Sequence, residues 1–158
     1  MDAVDTLAGT TLARGEVLPG TPLIDAATGD AVRVWDFRGK TALVLCFLHP
    51  ACEACDRFAA GLAEAESEVR LTGARAFAVL REPAPSTLPV LVDGGGDASR
   101  RFLGPEGDLP TIVVTDRYAA AWESYPVLGH DFPPASEIVG DLWHLATMCE
   151  ECGILAWP

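Results

Sequence analysis

A chain of 158 residues holds enough material for one domain with a sizeable core and too little for two. Its 49% hydrophobic content excludes wholesale disorder. The formal net charge of -12 repels phosphate backbones and anionic lipid heads, which argues against nucleic acid and membrane surfaces as partners.

Residues 1–13 read as a flexible leader to a single domain over 14–158. The acidic start, Met1-Asp2-Ala3-Val4-Asp5, is unlike the basic opening of a secretory signal, and no apolar run approaches the ~20 residues of a membrane span. The chain therefore reads as cytoplasmic. Val17 to Ile24 and Ala31 to Val34 flank Ala27-Thr28-Gly29-Asp30, a turn suited to a β-hairpin. A second turn at Asp36 to Lys40 leads into Leu43-Val44-Leu45-Cys46-Phe47-Leu48, an unbroken apolar run typical of a strand covered on both faces. His49-Pro50-Ala51 breaks that strand. From Cys52, the spacing of Phe58, Leu62, Ala65 and Val69 predicts one helix, ended by Gly73. Ala76 to Leu80 is a second strand, completing a βαβ unit with parallel strands and a right-handed connection.

Pro89 to Val92 is a short strand candidate and Ser99 to Leu103 a short helix candidate. Thr111 to Thr115 and Tyr118 to Tyr125 read as a hairpin joined by Asp116-Arg117. A proline-rich loop then leads to a final helix with Ser136 as candidate N-cap, lined on one face by Ile138, Val139, Leu142, Leu145, Ala146 and Cys149.

Four of the five cysteines form two Cys-x-x-Cys pairs, Cys52-Cys55 and Cys149-Cys152; Cys46 is the fifth. Tightly paired thiols without an export signal favour redox chemistry or metal over a disulfide scaffold. Cys52 falls where a buried strand becomes a helix, so its sulfur faces unpaired backbone N–H groups and the positive end of the helix dipole, both of which favour a thiolate. Cys55 follows one turn later, close enough for a disulfide but less exposed. The arrangement suits an attacking Cys52 and a resolving Cys55. The same pair also fits half of a metal site or two inert core thiols.

The stretch Phe47-Leu48-His49-Pro50-Ala51-Cys52-Glu53-Ala54-Cys55 resembles the active-site segment of thioredoxin-like proteins. Leu23-Ile24-Asp25 with Thr28-Gly29, then Asp36-Phe37-Arg38-Gly39-Lys40, is similar to the redoxin branch, which includes peroxiredoxins and membrane-tethered thiol-disulfide reductases. Leu109-Pro110-Thr111 looks like the family's cis-proline segment. The resemblance covers about residues 15 to 148. It implies a thioredoxin-like α/β fold with a central mixed sheet, helices on both faces and an N-terminal β-hairpin. It also implies thiol-disulfide exchange with partner proteins, a substrate-positioning role for Pro110 and no bound organic cofactor.

The departures bear on mechanism. Ala51 stands where thioredoxins usually have tryptophan, and Cys46 where they place a buried acid that takes the resolving thiol's proton. His49, with an ordinary pKa of ~6.5, is a substitute proton shuttle; the other reading is a plain loop histidine. Glu53 and Asp56 oppose a thiolate by like charge, which predicts a reducing pair rather than a strong oxidant. Laid on Cys55, the peroxiredoxin frame Pro-x-x-x-Thr/Ser-x-x-Cys puts Leu48 at the proline and Cys52 at the hydroxyl residue, and the arginine usual before the later strand is absent. Peroxidase activity is accordingly the second enzymatic reading.

In the thioredoxin-like fold that the resemblance implies, Cys149-Glu150-Glu151-Cys152 would lie at the far end of the last helix from Cys52 and Cys55, which argues against one shared four-thiolate site. It remains open as a disulfide that pins the tail, a pair of unreactive thiols, a relay for a neighbouring molecule, or a metal half-site completed by a second subunit in a homodimer. Cys46, Trp35, Trp143 and Trp157 read as packing residues, and His130 and His144 as structural histidines lacking ligand spacing. Gly94-Gly95-Gly96 is a turn without a nucleotide-binding frame. Two non-catalytic readings stay open: a protein-interaction module, and a metal-binding protein using Cys149 and Cys152.

Overall fold

A computed structural model describes residues 6–105 and 110–148; Leu109, Cys149, Cys152 and Trp157 lie outside them. Strands Leu23–Asp25 (β1) and Ala31–Val32 (β2) form the expected hairpin, whose turn carries Gly29 at φ 79°, a left-handed conformation that glycine adopts without penalty. A 3-10 turn over Val34–Phe37 leads into Ala42–Phe47 (β3). Helices Glu53–Glu64 (α1) and Glu66–Leu71 (α2) follow, then Ala74–Leu80 (β4), Val90–Val92 (β5) and Asp97–Leu103 (α3). Thr111–Thr115 (β6), Ala121–Pro126 (β7) and Ala135–Thr147 (α4) complete the described elements.

The seven strands form one sheet in the order β2-β1-β5-β4-β3-β6-β7. β3 pairs with β4, and β4 with β5, in parallel; the remaining pairs are antiparallel. β3 is an interior strand between β4 and β6, covered on both faces as its apolar run predicts, while β4 holds the middle position of the seven. The side chains of β3 alternate with the strand period of two. Val44 and Cys46 enter a core with Phe58, Leu62, Ile138 and Leu142, beneath α1, α2 and α4. Leu43, Leu45 and Phe47 enter the opposite core with Phe77, Phe102 and Leu12. Tyr125 on β7 donates its hydroxyl hydrogen to Asp141 on α4, tying that helix to the sheet edge. Among the described residues no helix is long and apolar enough to cross a membrane.

Several boundaries differ from those read in the sequence. The helix expected to run unbroken to Gly73 divides at Ala65, whose N–H reaches back three residues to Leu62. No glycine or proline marks the break; the re-aimed α2 sets Val69 into the same core. The loop between β6 and β7 extends to Ala120 because Asp116 accepts from the backbone N–H groups of Tyr118 and Ala120 at 2.8 and 3.0 Å, holding the chain in a wider turn than Asp116-Arg117 alone. Helix α4 begins at Ala135, with Pro134 rather than Ser136 at the N-cap position.

Residues 6–13 correct the expectation of a flexible leader. Leu7 and Leu12 are buried at 3% and 1% exposure. The Thr11 N–H donates to the Phe102 carbonyl at 3.0 Å, and Ser124 Oγ donates to the Ala8 carbonyl. Apolar burial therefore fixes a segment that shows neither helical nor strand periodicity. Leu12→Ala is expected to lower stability by about 2–5 kcal/mol, the usual cost of emptying a buried leucine site. Urea unfolding measures it, and a loss well below 1 kcal/mol would return the segment to the status of a loose leader.

Candidate active site

Strand register decides which residues meet. Phe47 at the end of β3 pairs with Thr111 at the start of β6, and Thr111 in turn pairs with Pro126 at the end of β7. The loops after β3 and β7 therefore open at one end of the sheet, beside the N-termini of α1 and α4.

Cys52 is the N-cap of α1, with extended backbone at φ -114° and ψ 115°. Its Sγ accepts a hydrogen bond from the Cys55 N–H at 3.3 Å, using one of the donors that a helix start leaves unpaired. Ala51 immediately before it has φ 53°. That left-handed conformation is uncommon for a residue with a Cβ, and it turns the chain sharply from strand into helix. Cys52 is half-buried, whereas Cys55 is buried at 1% exposure within the α1 core.

The two sulfurs thus occupy different surroundings. Burial is the largest influence on Cys55 and pushes its thiol up to about 12. The hydrogen bond with Cys52 and the nearby charges of Cys52 and Asp56 act in the same direction, and a backbone hydrogen bond from His49 opposes them. Glu53, the other acid in the first helical turn, forms a 3.0 Å ion pair with Arg57. Both of those side chains are exposed, so the pair anchors little. Cys46 is fully buried in the same core as Cys55, and desolvation alone raises its thiol well above the ordinary range. It is a packing residue of β3, as the sequence suggests.

His49 lies as expected in the loop beside the cysteine pair. His130 was read as structural, yet the fold brings it to the same place. The ligand atoms of His49, Cys52, Cys55 and His130 all lie within 4.8 Å of one another. The two imidazole rings meet edge to face at 5.8 Å. His130 sits at φ 58° in the loop after β7 and contacts Phe132 at 6.5 Å, while Phe132 stacks on Phe58 of α1 at 4.8 Å. Beside His130, a groove of about 300 Å³ runs along Ala54, Phe58, Gly61 and Phe132. His144, in the last turn of α4, packs instead against Trp122 near the start of β7, at 5.7 Å.

Pro110 is buried next to the opening of β6, and its carbonyl accepts from the Val127 N–H at 2.8 Å. It therefore stands at the same end of the sheet as the cysteines. The Leu109–Pro110 bond, to which the family resemblance assigns a cis geometry, involves a residue outside the described ones. The second pair, Cys149 and Cys152, also falls outside them.

Solved structures share this architecture. Peroxidoxin BcpB from Mycobacterium tuberculosis is 18% identical, with a TM-score of 0.66 over 85% of this chain and 96% of that one. A putative thiol:disulfide interchange protein DsbE from Chlorobium tepidum is 20% identical, with a TM-score of 0.67 over 86% of this chain and 99% of that one. The fold is thioredoxin-like. Peroxiredoxin Q from Xanthomonas campestris aligns with a TM-score of 0.67 at 16% identity, over 89% of this chain and all of that one. No protein-family model matches the sequence, and no curated protein matches it. The chain therefore has a thioredoxin-like fold that carries a Cys-x-x-Cys pair at the start of its first long helix.

Burial of Cys46 has a consequence at alkaline pH. In the folded chain its thiol stays protonated above the ordinary value of 9.0, whereas the unfolded chain releases that proton. The unfolded state then binds fewer protons, so the contribution to stability is complete below pH 9 and declines as pH rises further. Urea midpoints of the reduced protein between about pH 7 and pH 10 are expected to fall more steeply than those of Cys46→Ala. Parallel curves would contradict this account.

Proposed function

We propose that the protein is a thiol-disulfide oxidoreductase acting on partner-protein disulfides. The observation that carries this reading is the asymmetry of the pair: a half-exposed sulfur accepting a helix-start N–H, and a buried sulfur one turn behind it. The Cys52 thiolate attacks one sulfur of the partner disulfide, forming a mixed disulfide and releasing one partner thiolate. The Cys55 thiolate then attacks the Cys52 sulfur. The Cys52–Cys55 disulfide forms and the second partner thiol leaves, so two electrons and two protons pass from the pair to the partner.

The Cys55 proton needs an acceptor, because burial and the neighbouring negative charges hold it on the sulfur. His49 is close enough to take it, directly or through one water, which supports the shuttle role read from the sequence. Pro110, at the opening of β6, is the residue that the resemblance casts against the substrate backbone. The apolar groove along Phe58 and Phe132 offers a side chain of the partner a surface beside the attacking sulfur.

Peroxide reduction is the second reading, favoured by the peroxiredoxins among the similar structures. In that chemistry a thiolate attacks a peroxide oxygen, giving a sulfenic acid and water or an alcohol. The hydroxyl position of the peroxiredoxin frame is Cys52 here, and Arg57 is turned outward onto Glu53. Both features favour disulfide exchange over peroxide as substrate.

Insulin reduction with dithiothreitol as donor tests the choice. Cys52→Ser is expected to abolish turnover, and Cys55→Ser to accumulate a mixed disulfide with insulin visible by mass spectrometry. Rapid peroxide consumption by a protein that leaves insulin untouched would overturn the assignment in favour of the peroxidase. Glu53 and Asp56 in the first turn of α1 set negative charge against a charged reduced pair, which favours the disulfide. The expected reduction potential therefore lies nearer the roughly -270 mV of thioredoxin than the roughly -120 mV of DsbA; a value near the latter in glutathione equilibration would contradict the reading.

A further inference from the structure

We propose that the reduced site is also a Cys₂His₂ metal centre, in which Cys52, Cys55, His49 and His130 bind one Zn²⁺ ion. This goes beyond disulfide exchange and does not depend on it, since a chain that fails to reduce insulin can still hold the ion.

The donor set is the first argument. Two thiolates and two imidazoles are a common tetrahedral zinc complement, and their softness disfavours magnesium or calcium. The four ligand atoms already lie within 4.8 Å of one another. A tetrahedral site with bonds of about 2.0–2.3 Å has donor-to-donor edges of about 3.3–3.8 Å. The largest closure required is therefore about 1.5 Å, within the reach of side-chain rotation at half-buried His49 and Cys52 and at exposed His130.

The origin of the ligands is the second argument. Cys52, Cys55 and His49 come from the β3–α1 junction, and His130 comes from the loop after β7. Sequence spacing does not unite them; register does. His130 is also held from behind. Phe132 packs on its ring and itself stacks on Phe58, a core-facing residue of the helix that carries Cys55. Supports of this kind keep a ligand oriented before the ion arrives. The adjoining groove leaves His130 open to solvent, which gives the ion a route in.

Charge closes the case. Two thiols and two neutral imidazoles take up Zn²⁺ with release of two protons, leaving a complex of net charge zero. A neutral complex suits a site whose innermost ligand is buried and needs no further counter-charge. The Cys52–Cys55 disulfide offers no thiolate, so the ion binds only the dithiol form. The centre is thus readable as redox-gated: the dithiol holds the ion and the disulfide does not.

The test uses the full-length chain, reduced and free of oxygen, titrated with Co²⁺ and then Zn²⁺. The expected result is a tetrahedral Co²⁺ spectrum with a thiolate charge-transfer band, displaced by one equivalent of Zn²⁺. The disulfide form should show neither. Cys149→Ser/Cys152→Ser should retain the spectrum, which separates this centre from the second pair. His130→Ala and His49→Ala should each weaken Zn²⁺ binding by at least about tenfold, because even partners standing behind a ligand cost that much. Circular dichroism confirms that the variants are folded. No tetrahedral spectrum, a spectrum unchanged in both histidine variants, or one lost with Cys149 and Cys152 would each overturn the proposal. Insulin reduction by the metal-free chain is scored separately, so failure of this inference and failure of the exchange reading remain distinct.

Discussion

The structure depends above all on the pairing of β3 with β6 and of β6 with β7. Two antiparallel registers, Phe47 with Thr111 and Thr111 with Pro126, bring three distant chain segments to one end of the sheet. A slip of one residue would turn every side chain of β6 to the wrong face. Ile112 and Val114 would leave the core under α1, α2 and α4, and Val113 would leave the opposite one. Because both faces are fully covered, such a slip is heavily penalised. The precision of the site is inherited from the packing of strands that contribute no ligand to it.

That packing also sets the chemical difference between the two cysteines. They lie one helical turn apart, so no large structural difference separates them. One stands at the helix start with backbone donors around it; the other faces Phe58, Leu62 and Cys46 in the core. Burial acts on the second and makes its thiol hard to ionise, while the first accepts a backbone hydrogen bond. Division of labour within the pair follows from which side of α1 faces the sheet.

Much of the fold was legible in the sequence because its signals are local. The apolar run ending at Leu48, the turn around Gly29 and the periodicity of α1 and α4 identify the mixed sheet and its helices. Cys52 and Cys55 were legible for the same reason, since three residues of spacing at a strand-to-helix boundary place two sulfurs together. His130 was not. Nothing in its neighbours distinguishes it from His144, and only the path of β7 back toward β3 separates the histidine at the site from the one packed on Trp122. Strand order would have been the one useful clue: a residue just after β7 must emerge beside the end of β3. Leu7 and Leu12 were hidden differently, because isolated apolar residues among threonine and glycine carry no period, and burial came from a partner surface formed elsewhere.

The strap formed by residues 6–18 bears on how the molecule assembles. It is held by Phe102 on α3, by Ser124 on β7 and by the bridge from Val17 to Ala120, all of them synthesised long after it. Closing loops of that length costs entropy that only completed packing returns. During synthesis the strap therefore waits unpartnered while the βαβ unit forms, with Leu7, Leu12 and Leu18 uncovered. The earliest of the described residues to be made thus depend on some of the latest for their cover, and a chain cut short before Ser124 leaves them without it.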